Sequence, residues 1–233
     1  MPAAAAHPVR PAPWRLADLR RVYYSELVKQ AELTESAVLD ATSGVSSNYD
    51  RAEILLNVVD RGGLTPATSN AFMGLVRTMA SSHDQRRVLS AVTAQGNLPE
   101  AVAVEALKST SAISGSYDKT ETLLRLMDRG GLSDGAADTF FQSAAEVSSS
   151  YDLSRILKRV TEQPMTQKVL EGVLRTSARI SGAHDRANLL EAIAAKMKIE
   201  GQARELYISA TRGLGSYDEN RALAALVRAE VRR

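Results

Sequence analysis

The sequence predicts an all-α fold: a right-handed α-solenoid of about six helix-pair repeats and about thirteen helices. Three observations predict it. A Tyr-Asp or His-Asp dipeptide recurs six times, at spacings of 33 or 34 residues. Each occurrence follows a helix-capping residue and precedes apolar residues at helical spacing. Aromatics make up 5% of a chain that is 44% apolar, so the core is mostly Leu, Val, Ile and Ala, a composition that suits close-packed helices.

The dipeptides are Tyr49-Asp50, His83-Asp84, Tyr117-Asp118, Tyr151-Asp152, His184-Asp185 and Tyr217-Asp218. Two residues before each ring stands Ser47, Ser81, Gly115, Ser149, Gly182 or Gly215. Ser and Gly are good N-caps, and the Asp three residues on is placed like the acidic member of a capping box, at the positive end of the helix dipole. The buried stripe follows. Six residues after the ring come Leu55, Leu89, Leu123, Leu157, Leu190 and Leu223; nine after it come Val58, Val92, Leu126, Val160, Ile193 and Leu226. That step of three is a helical period. Glycines at Gly62-Gly63, Gly96 and Gly130-Gly131 are expected to end these helices as C-caps.

The second helix of each pair opens at Leu64-Thr65-Pro66, Leu98-Pro99-Glu100, Leu132-Ser133-Asp134 or Met165-Thr166, where Thr or Ser caps and Pro suits the first turn. Its apolar marks are Leu39 and Val45, Met73 and Met79, Leu107 and Ile113, Phe141 and Val147, Leu174 and Ile180, and, shifted by one, Ile208 and Leu214. One helix pair cannot bury its apolar face alone, so neighbours must stack and the ends must be capped. The expected organisation is a disordered Ala/Pro-rich lead over 1–13 and one solenoid domain over 14–233. Within it, 14–47 form an N-terminal capping pair, 48–215 the repeats and 216–233 a C-terminal capping helix.

The period matches that of tetratricopeptide repeats without their Trp-x-x-Leu-Gly-x-x-Tyr opening, and HEAT and armadillo repeats are longer. The segment Ile/Val-Ser-Ser/Gly-x-Tyr-Asp-x-x-x-x-Leu-Leu, as in Val45 to Leu56 and Ile113 to Leu124, resembles the helical repeats found C-terminal to the peptidase module of BlaR1-like membrane metallopeptidases. The resemblance covers about residues 40–225. It implies an extracytoplasmic repeat domain of a bacterial protein. The chain has no His-Glu-x-x-His, so the zinc and proteolysis of those peptidases do not carry over.

Charge and chemistry narrow the function. The net charge is +2, with +3 in residues 1–30, +3 in residues 221–233 and −4 between them. That distribution disfavours nucleic acid as a partner, because a dedicated binder carries a larger basic surplus. There is no Cys, and no run approaches the length of a membrane-spanning helix. With Met1 as the native start and no apolar leader, the chain is expected in the cytoplasm; the resemblance places it outside. Phosphate-binding loops and Gly-x-Ser-x-Gly are absent, and no convergent catalytic set appears, so no enzyme and no cofactor is expected. His83 and His184 share the Tyr slot, three repeats apart, too far for one metal. Tyr49, Tyr117, Tyr151 and Tyr217 are expected to pack between repeats, the alternative being an exposed ladder for a nucleic-acid strand.

The expected role is a non-catalytic scaffold that binds another protein, as an accessory subunit of a membrane-associated bacterial assembly. The alternatives are an extracytoplasmic sensor or regulatory repeat region and a HEAT-like nucleic-acid scaffold. Ser and Thr are dense on the second helices, which gives either tight helix packing or a shallow polar groove. Lys108, Gln142, Arg175, Arg179 and Arg212 lie off the apolar stripe of those helices and are the candidate groove contacts. On the expected first helix, Arg20, Arg21 and Tyr24 are candidates for docking to a complex or for peripheral contact with an acidic membrane surface, with Trp14 covering the first core.

Overall fold

Successive Tyr/His-Asp helices pack on one another, and the helices between them form a second layer. The computed structural model describes residues 35–62, 64–96, 98–128 and 131–231. Among the described residues there are twelve helices and no strand. They are α1 Glu35–Thr42, α2 Asn48–Gly62, α3 Pro66–Arg77, α4 Ser82–Ala94, α5 Glu100–Thr110, α6 Ser116–Met127, α7 Asp134–Ala145, α8 Ser150–Glu162, α9 Gln167–Ser177, α10 Ala183–Lys196, α11 Gly201–Thr211 and α12 Ser216–Val231. Each helix packs most extensively on the next but one, the serial arrangement of an α-solenoid. The lead over 1–13 and the expected first helix, with Trp14, Arg20, Arg21 and Tyr24, lie outside the described residues.

The caps form as the dipeptide implies, with one change. The backbone N–H groups of Asp50, Asp84 and Asp152 donate to Ser47, Ser81 and Ser149 Oγ, each at 3.2 Å. At two of the three glycine caps the glycine N–H is taken by the preceding repeat: Gly115 donates to Ser82 Oγ at 3.1 Å and Gly182 to Ser150 Oγ at 3.4 Å. The Asp carboxylates turn instead to arginines. Arg87 and Arg155 each hold the Asp three residues before them, Asp84 and Asp152, while Arg86 reaches forward to Asp118 at 2.6 Å.

The glycine stop at Gly96 is corrected by the structure, while Gly63 and Gly130 of the other two stops lie outside the described residues. Among the described residues only Gly201 and Gly213 have positive φ. The helix before Gly96 ends at Ala94, capped by Gln95 in an extended conformation. The Gln95 side chain then donates to the Val59 carbonyl at 2.8 Å, near the end of α2. A side chain lent across repeats does the work expected of a left-handed glycine.

A second cross-helix cap recurs. Two residues after the ring stand Arg51, Gln85, Lys119 and Arg186, and each donates to a carbonyl at the end of the preceding helix or in the turn that follows it: Val45, Val76, Ser111 and Ala178. Those carbonyls lie at the negative end of a helix, where a donor or cation is favoured. Arg186 is nearly buried, and desolvation holds its guanidinium pKa below the ordinary value.

The predicted stripe is the core. Leu55, Leu89, Leu123, Leu157 and Leu190 are all fully buried, and so are Met73, Ile113, Leu174 and Ile180. Leu223 and Ile208, in the last repeat, are only partly covered, because no described helix stacks beyond α12. The core divides into two clusters, one from Val38 to Ile113 and one from Leu107 to Ala229. At their boundary α5, α6 and α7 line a half-open pocket of about 290 Å³, with Leu107, Leu126, Met127, Ala136 and Phe140 in its wall.

Candidate functional site

The dense Ser and Thr of the second layer serve packing first. Ser109, Thr110, Ser143 and Ser177 are buried, and Thr110 Oγ1 donates to Ser143 Oγ at 2.8 Å across the repeat boundary. Small residues there bring the helices close, and the polar surface is left to the longer side chains.

Three of the five predicted contacts on this layer meet in one place. Gln142, Arg175 and Arg179 line a groove of about 670 Å³ between α7 and α9. At one end Lys168 pairs with Asp138 at 2.7 Å, and Gln167 donates to Glu171 at 3.1 Å. At the other end Arg175 and Arg179 are exposed, one helical turn apart, and their guanidiniums have no partner among the described residues. The groove is therefore mildly anionic at one end, through Glu171, and cationic at the other. Lys108 lies on α5, away from this groove, with its amine on Glu105 at 2.7 Å. Arg212 is exposed on the turn after α11 and also stands apart.

The floor of the groove is Phe141, and its depth depends on Gly172. A Cβ built on Gly172 would meet the Phe141 ring at 2.2 Å. The ring is set in turn by Phe140, edge-on at 5.5 Å with an interplanar angle of 87°. Gly172→Ala gains about 1 kcal/mol of helix propensity. It costs about 1–3 kcal/mol of overpacking, or pushes the ring into the groove. The expected result is a modest net loss of thermal stability with a filled groove. A clear rise in melting temperature would show that the ring moves aside at no cost.

The tyrosines correct a second expectation. They do not pack between repeats. Tyr49, Tyr117, Tyr151 and Tyr217 are all more than half exposed, and His83 and His184 in the same slot are exposed too. The reason is positional: the slot falls in the first turn, at the rim of the layer, and the surface beside each ring is covered by an arginine. Arg87 lies over Tyr49, Arg86 over Tyr117, Arg155 over Tyr151 and Arg221 over Tyr217, with guanidinium carbons 5.5–6.0 Å from the ring centroids.

Three of these arginines, Arg87, Arg155 and Arg221, join an alternating row. Four residues after each ring stand Glu53, Arg87, Glu121, Arg155, Asn188 and Arg221 in successive repeats. Arg87 reaches back to Glu53 at 2.6 Å, Arg155 to Glu121 at 3.0 Å, and Arg221 to Asn188 at 2.8 Å. Arg221 also holds Glu191 at 2.9 Å. The hydrogen bonds to Glu53, Glu121 and Glu191 raise the pKa of Arg87, Arg155 and Arg221 above the ordinary value, against the desolvation that lowers it. This row was open to view in the sequence as a charge alternation at one fixed offset from the ring.

Compared with known proteins, the chain matches no protein-family model, no curated protein and no solved structure.

Proposed function

We propose that the chain is a non-catalytic interaction scaffold, and that the groove between α7 and α9 holds an acidic segment of another protein. The observation that carries this reading is the pair Arg175 and Arg179, exposed and unpaired among the described residues, beside the apolar Phe141 floor. An acidic strand with one apolar side chain would place its carboxylates on the two guanidiniums and its apolar group on the ring. Gln142 offers an amide to the strand's backbone. Hydrogen bonds to charged groups contribute about 1.5–3 kcal/mol each. Reversing both charges should therefore weaken binding by about a hundredfold or more.

The test is affinity purification from the source cells with wild type and with Arg175→Glu/Arg179→Glu, followed by mass spectrometry. A stoichiometric protein that co-elutes with wild type and is lost from the variant supports the groove. Equal recovery from both would overturn the assignment.

A further inference from the structure

We propose that the exposed Tyr/His rim of the first layer is a second binding surface, and that it takes a proline-rich, arginine-containing segment of a partner in polyproline II conformation. Four properties carry the inference. The rings are exposed: Tyr49 by 53%, Tyr117 by 61%, Tyr151 by 69% and Tyr217 by 75%. They recur once per repeat, on consecutive helices of one layer. Packed helices lie about 8–10 Å apart. A polyproline II strand turns once every three residues, with a rise of about 9.3 Å per turn. One strand face therefore advances by one turn for each repeat it crosses, and every third residue meets a ring. Tyr117 and Tyr151 form adjacent rungs, with His83 and His184 continuing the row on either side.

The rings are also held. Each tyrosine lies beside a guanidinium that is itself fixed by carboxylates, so little side-chain freedom is lost on binding. The last property is the sign of the charge. Every guanidinium of the rim is already paired: Arg86 to Asp118, Arg87 and Arg155 to two carboxylates each, Arg221 to Glu191 and Asp218. Among the described residues no guanidinium beside a ring is left over for phosphates, and carboxylates outnumber arginines there. That disfavours a nucleic-acid strand, whose binding rests on phosphate neutralisation. It favours an uncharged apolar strand with an occasional arginine, the chemistry of proline-rich ligands on aromatic surfaces.

The test is fluorescence anisotropy on the full chain with a labelled peptide repeating Pro-Pro-Ala-Pro-Pro-Arg, which keeps the three-residue period, its Gly-for-Pro counterpart, and an oligouridine. The expected result is binding of the proline peptide, at least tenfold tighter than its glycine counterpart. Tyr117→Ala/Tyr151→Ala should weaken it about tenfold or more. Both rings are exposed, so an unchanged thermal melt should accompany that loss. Arg175→Glu/Arg179→Glu should bind the proline peptide as wild type does, which separates this surface from the groove. The proposal is overturned by equal binding of the proline and glycine peptides, by no binding of either, by insensitivity to the tyrosine substitutions, or by tyrosine-dependent binding of the oligouridine in preference to the peptide.

Discussion

Phe140→Ala is expected to lower the free energy of unfolding by about 3–5 kcal/mol, toward the upper end for a buried aromatic. Phe140 is fully buried on α7 and borders the pocket of about 290 Å³ between α5, α6 and α7. A truncated ring leaves a void that opens into that half-open pocket, and its neighbours are poorly placed to close it. The edge-on contact with Phe141 is lost as well, worth about 0.5–1.5 kcal/mol beyond the area it buries. Because Phe141 floors the groove, the substitution should loosen that floor together with the core. Thermal and denaturant melts measure the effect. A loss below about 1 kcal/mol would mean that the α5–α7 boundary closes when the ring is removed, contrary to ordinary large-to-small behaviour.

Leu123→Ala is expected to cost about 2–5 kcal/mol. Leu123 stands six residues after Tyr117, fully buried at the centre of the chain. Each repeat contacts only its neighbours, so a defect there weakens the coupling between the two halves as well as the repeat itself. Hydrogen exchange should show faster opening in α6 and in the helices that pack on it. The chain supplies its own control: Leu223 has the same place in its repeat and is only partly covered. Leu223→Ala should cost much less, since the chemistry is identical and only the burial differs. Equal losses at the two sites would contradict the register.

The register of this fold was legible in the sequence because its physics is local. A cap, a ring, an acid and leucines at fixed offsets need no distant partner to be understood, and α2, α4, α6, α8, α10 and α12 begin within a residue of where those signals place them. The features that escaped were relations between repeats. Gly96 reads as a stop, yet Gln95 caps α4 and lends its amide to Val59. Gly172 carries no signal in the sequence. Its meaning lies in the Phe141 ring, 31 residues earlier. The tyrosines read as packed between repeats; their slot at the rim of the layer and the arginines beside them explain why they remain outside. Of the candidate site, Gln142, Arg175 and Arg179 were readable as polar positions off an apolar stripe. That they share a groove which Lys108 and Arg212 do not join depends on the stacking of α7 and α9.

The alternating row of Glu53, Arg87, Glu121, Arg155, Asn188 and Arg221 has a consequence for how such a chain can change its length. Excise the repeat that carries Glu121, and Arg87 comes to face Arg155, two like charges at salt-bridge range. Excise the repeats of Arg87 and Glu121 together, and Glu53 meets Arg155 with its complementarity intact. Insertion obeys the same parity. The repeat that the eye counts is a single helix pair, but the unit that can be gained or lost without an electrostatic penalty is a doublet. Between Glu53 and Arg155 the gene is thus free to change by even internal steps, while loss of Arg87 or Glu121 alone leaves a seam of like charge; the neutral Asn188 lifts that constraint at the Arg155 repeat.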